Sequence, residues 1–67
     1  MKYSISKAAV NDHISFSRGK REVFGIVTSV KENSVIVELS SEDAKYFQYE
    51  SNLTVVNHKN YLIIINS

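Results

Sequence analysis

The stretch from Val23 to Leu39 constrains this chain more than any other. Val23-Phe24-Gly25-Ile26-Val27-Thr28-Ser29-Val30 runs into Lys31-Glu32-Asn33-Ser34, and Val35-Ile36-Val37-Glu38-Leu39 follows. Two runs rich in β-branched residues around a short polar turn read as an antiparallel hairpin. Val27 and Val30 are three apart, so they share one face of a strand only if an extra residue lies between them. A bulge at Thr28-Ser29 is expected to supply it and to bend the strand. Asn33 is the turn residue expected to adopt a left-handed conformation.

Ile14 and Phe16 alternate with His13, Ser15 and Ser17 and predict another strand. Tyr61 to Ile65 predicts a further one, preceded by a shorter extended piece at Thr54-Val55-Val56 and a turn at Asn57-His58-Lys59-Asn60. Between Leu39 and Leu53 the alternation stops. Ser40-Ser41-Glu42-Asp43 has the serine and first-turn acids of a helix start, placing Ala44, Phe47 and Gln48 on one face of a short helix or helical turn near 41–48. Leu62 to Ile65 is apolar on both faces, which calls for a cover on the second face. The segment around Tyr46 to Tyr49 and a second copy of the chain are the two candidates.

A chain of 67 residues makes one domain, 1–67, and buries only about 60% of the surface of its unfolded form. It holds no cysteine and two histidines, His13 and His58, so neither disulfides nor a structural metal are expected to support the core. The first ten residues carry Lys2 and Lys7 with no long apolar run behind them, which points to a cytoplasmic protein without a membrane segment. Net charge is +1, but six bases and two acids lie in residues 1–31 and two bases and five acids in the remainder. The expected fold is all-β: a small barrel of about five antiparallel strands.

Asp12-His13-Ile14-Ser15-Phe16, Gly19, Gly25-Ile26-Val27-Thr28-Ser29-Val30 and Val35-Ile36-Val37-Glu38 together are similar to the KOW motif of ribosomal proteins and transcription elongation factors. Gly25 takes the motif's hallmark position. Asn11 stands where a glycine often precedes the aspartate, and a second glycine before Gly25 is missing. The resemblance implies an SH3-like barrel whose loops contact RNA or proteins in many members. A second likeness spans about Ala9 to Ile65. Glu32-Asn33-Ser34-Val35-Ile36-Val37 and Thr54-Val55-Val56-Asn57-His58-Lys59-Asn60-Tyr61 resemble the YkvS-like family of short uncharacterised bacterial proteins. It implies a fold and transfers no activity.

Three clusters are candidate sites. Arg18, Lys20 and Arg21 flank Gly19 in one loop and could converge on phosphate, with help from Lys31 and Lys59, or could simply keep an edge solvated. Phe24 beside them is either a base-stacking aromatic or a core residue. Asn57, His58, Asn60 and Tyr61 are either ligand-contacting groups or turn formers bonded to their own backbone. Tyr46, Phe47 and Tyr49 supply either a lid over the core or a protein interface. Nucleophile elbow, phosphate-cradling glycine loop and cysteine nucleophile are all missing, and Glu42-Asp43 belongs to the helix start. The expectation is a non-enzymatic binding module without cofactor or metal. Its ligand is nucleic acid, RNA before DNA, or else a protein partner or second copy held by the 46–49 segment or an exposed strand edge.

Overall fold

The computed structural model describes residues 2–4 and 7–65. Its elements are β1 (Lys2–Ser4), β2 (His13–Arg18), β3 (Arg21–Val30), β4 (Ser34–Leu39), α1 (Ser41–Tyr46), β5 (Leu53–Asn57), a 3-10 turn (His58–Asn60) and β6 (Tyr61–Ile65). All pairings are antiparallel, in the order β1-β6-β2-β3-β4-β5. β5 and β6 thus lie four places apart, about 19 Å across a flat sheet. Only His58–Asn60 joins them, a turn that rises about 2 Å per residue. The sheet therefore curls into a small barrel-like all-β domain, as expected, with one strand more than the sequence pattern suggests. The extra strand is β1, three residues long and too short to show a period.

Alternation along the strands decides what fills the interior. Ile14 and Phe16 on β2, Val23 and Val27 on β3, Val35, Val37 and Leu39 on β4, Val56 on β5, and Tyr61 and Ile63 on β6 form one buried cluster with Ala8. The bulge falls where the spacing of Val27 and Val30 requires it. Val27 pairs with Val37, the register shifts, and Ser29 pairs with Ile36 and Val30 with Val35. Val30 thereby regains the face of Val27, at the rim of the core.

Gly25 pairs with Ile14 on one side and Leu39 on the other. A Cβ there would overlap Val37 Cγ1 and approach the Glu38 carbonyl oxygen to 3.0 Å. Asn11 has φ 78, a left-handed conformation that glycine and asparagine tolerate best. Its backbone N–H donates to the Val27 carbonyl at 2.8 Å, and Val27 N–H donates to the Asp12 carbonyl at 2.9 Å. Asn33 does not take that conformation: among the described non-glycine residues only Asn11 and Gln48 have positive φ. The turn is closed instead by Lys31 N–H donating to the Ser34 carbonyl, and the Asn33 carbonyl accepts from His58 N–H.

α1 begins as its sequence predicts, with Ser40 as N-cap accepting from Asp43 N–H and Glu42 and Asp43 in the first turn. It ends in a Schellman motif. Tyr49 N–H donates to the Ala44 carbonyl and Gln48 N–H to the Lys45 carbonyl, with Gln48 at φ 61. Gln48 therefore lies past the helix and is exposed, so it does not share the buried face of Ala44. No helix among the described residues is long and apolar enough to cross a membrane.

Candidate functional site

The arginines of the 18–21 loop face inward to the fold. The Arg18 guanidinium donates to Tyr49 Oη, to Thr54 Oγ1 at 3.0 Å and to the Val55 carbonyl at 3.1 Å, and lies over the Phe16 ring. It ties the end of β2 to the segment after α1 and to the outer edge of β5. Arg21 binds Asp43 Oδ1 through Nε and Nη2, at 3.3 and 3.1 Å, and stacks on the Tyr46 ring at 4.1 Å. Paired with each other across the end of the β2-β3 hairpin, the two arginines hold the stretch from Asp43 to Tyr49. Lys20, Lys31 and Lys59 remain exposed.

The aromatic segment divides. Phe47 and Tyr49 stack on each other and pack against the core, so they form a lid at one end of the barrel. Tyr46 is 60% exposed, with Arg21 on its face. The lid does not cover the outward side of β6, where Leu62 is 40% exposed. Phe24, whose neighbours Val23 and Gly25 point inward, is 49% exposed rather than part of the core. Ser15 pairs with both Phe24 and Leu62, placing those two in one outward row.

The 57–61 cluster is largely spent on the fold. Asn57 caps the 3-10 turn by accepting from Lys59 N–H at 2.9 Å. Tyr61 is buried, its Oη accepts from Ala8 N–H at 2.9 Å, and it lies 2.7 Å from His58 Nδ1. His58 Nε2 sits 2.9 Å from the Lys31 carbonyl. Among the described residues no group of three or more His, Cys, Asp or Glu could hold a metal ion.

What the sequence does not reveal is a groove of about 770 Å3 that joins two of these clusters. One wall is β5, with Val55 and Asn57; the other is the end of β2, with Ser17 and Arg18. Phe16, Val56 and Tyr61 form its floor, and Asn33, Ser34, Lys59 and Asn60 line one end. The groove exists because β6 pairs with β2 only through Ile14, Ser15 and Phe16, while β5 pairs on one side only, with β4. Arg18, Asn57, Lys59, Asn60 and Tyr61, proposed from separate loops, thus meet in one concavity, whereas Lys20, Arg21 and Lys31 are not in its lining. Ser15, Ser17, Val55 and Leu62 join them with no local sequence signal. Its charged side chains are Arg18, Lys59 and Glu22.

A family model described as "Uncharacterized protein conserved in bacteria (DUF2187)" matches residues 6–64. The "Uncharacterized protein YkvS" of Bacillus subtilis (strain 168) is 48% identical over 61 residues, covering 90% of this chain and 93% of its own. No solved structure matches. A match over nearly the whole domain, with a relative of the same length class, places the chain: it belongs to the DUF2187 family of bacterial proteins, alongside YkvS.

Proposed function

We propose that this chain is a small non-catalytic module that binds an extended segment of another protein in the groove beside β5. The groove carries the reading. A concavity of about 770 Å3 lies against the edge of a strand paired on one side only. Its lining mixes amides, hydroxyls and exposed apolar groups such as Val55 and Leu62, which suits a polypeptide ligand. The non-enzymatic reading rests on the residue inventory. The chain has no cysteine, and its adjacent carboxylates Glu42 and Asp43 sit in the first turn of α1.

Nucleic acid is the less favoured ligand. Arg18 and Arg21, two of the three loop cations that would meet phosphate, are engaged within the chain. Phe16 and Tyr61 in the groove are buried and offer no stacking face. Exposed Lys20, Lys31 and Lys59 are what supports it.

NMR shift mapping separates the two. Blocked peptides of mixed sequence are expected to shift the amides of Val55, Asn57 and Asn60. Uridine-rich RNA and DNA oligonucleotides are expected to leave them in place at physiological salt. Shifts centred on Lys20, Lys31 and Lys59 with RNA, lost steeply as salt rises, would replace this reading by the nucleic-acid one.

A further inference from the structure

The edge of β5 carries an arrangement that specifies the segment more closely. Leu39 N–H donates to the Asn52 carbonyl at 2.7 Å. Hydrogen-bonded and non-bonded pairs alternate along an antiparallel ladder, so Leu53, Val55 and Asn57 direct their backbone groups away from β4. The Val55 carbonyl accordingly meets an outside donor, the Arg18 guanidinium, at 3.1 Å. Arg18 thus stands where a further strand would make its bond to Val55, and it protects the edge from indiscriminate pairing.

Resting on the groove reading above, we infer that the bound segment adds to β5 as a strand and carries an acidic side chain that takes over the Arg18 guanidinium. Displacing Arg18 from the Val55 carbonyl costs the guanidinium its solvent-facing Nη2 bond, while Nη1 keeps Tyr49 Oη and Thr54 Oγ1. A carboxylate on the ligand is the group that best restores it, because it matches the planar donors of arginine. Arg18 and Lys59 against Glu22 leave the groove with a positive balance, which is complementary to an acidic strand and opposed to a basic one. The exposed side chains of Val55 and Leu62 in the lining accept apolar residues at alternate positions of such a strand. The added strand fills the gap between β5 and the end of β2.

Two acetylated and amidated peptides test this, one alternating glutamate with valine and one alternating lysine with valine. The block at both ends leaves side chains as the only carboxylates. Titration into the full chain, followed by amide shifts and fluorescence anisotropy, is expected to show binding of the acidic peptide at Val55, Asn57 and Lys59. The basic peptide is expected to bind at least about tenfold more weakly. Val55→Pro removes an outward N–H, at a place where an edge strand tolerates proline, and is expected to weaken the acidic peptide about tenfold or more. Arg18→Lys keeps the charge but not the fork and is expected to cost about fivefold, with the basic peptide unaffected. Equal binding of both peptides overturns the acidic specificity. Full binding by Val55→Pro with groove shifts intact overturns strand addition while leaving the groove reading standing. Failure of both these peptides and the mixed-sequence peptides to shift any groove amide overturns both.

Discussion

His58 Nδ1 lies 2.7 Å from Tyr61 Oη, and the groups around the pair determine which way the proton points. His58 Nε2 faces the Lys31 carbonyl at 2.9 Å, an acceptor only, so Nε2 carries hydrogen. In the neutral ring Nδ1 is then the acceptor, and Tyr61 Oη donates to it while accepting from Ala8 N–H at 2.9 Å. One relay therefore joins the segment before β2, the 3-10 turn and the β3-β4 turn. Tyr61→Phe removes the hydroxyl, orphans the buried Ala8 N–H and leaves Nδ1 without a donor. A loss of about 1–3 kcal/mol is expected in urea unfolding. Nitrogen-15 shifts of the His58 ring should report the Nε2–H tautomer in the wild type.

Gln48 holds a left-handed conformation, φ 61, at the residue after the C-cap of α1. The Schellman hydrogen bonds from Gln48 and Tyr49 use backbone groups only, so they survive a change of side chain. Gln48→Gly removes the Cβ penalty at an exposed site and should stabilise the chain by about 0.5–1 kcal/mol, after the extra entropy of the unfolded glycine is deducted. Thermal melting by circular dichroism checks the sign. An unchanged or lower midpoint would show that the side chain contributes something the backbone does not.

Gly25 is required by a close approach and not by a turn, since its φ is not positive. The nearest obstacle to a Cβ is Val37 Cγ1, on a β-branched and fully buried side chain that cannot swing aside, followed by the Glu38 carbonyl. Gly25→Ala should cost about 1–3 kcal/mol by overpacking the β3-β4 contact. The double variant Gly25→Ala with Val37→Ala should show a coupling of about 1 kcal/mol or more in the favourable direction. Strict additivity would place the strain elsewhere.

The hairpin, the bulge and the start of α1 were legible because each is written in neighbouring residues: the odd spacing of Val27 and Val30, and Ser40 ahead of Glu42 and Asp43. The groove was not, because its walls come from Ser17-Arg18 and Val55-Asn57, nearly forty positions apart, and exist only where β6 stops pairing with β2. Phe24 was misleading in the same way. Apolarity alone does not reveal which face a strand residue takes; the register with Val23 and Gly25 inward does. Asn11 shows the reverse case: it takes the left-handed conformation expected of Asn33, and nothing in its neighbouring residues marks it.

Arg18, by residue type a loop cation, acts in the fold as an edge guard. Arg18→Ala leaves the Val55 carbonyl, Thr54 Oγ1 and Tyr49 Oη without their common donor and removes the guanidinium from over the Phe16 ring. The site is only half-buried and water can replace some of these contacts, so the expected loss is about 1–2 kcal/mol. The larger consequence concerns association. With the guanidinium gone, the outward groups of Val55 and Asn57 present an unguarded edge, and concentrated Arg18→Ala protein should form salt-tolerant oligomers in light scattering at concentrations where the wild type does not. Adding Val55→Pro to Arg18→Ala should suppress them. Oligomers that persist in the double variant would move the sticky surface to the outward row of Phe24 and Leu62.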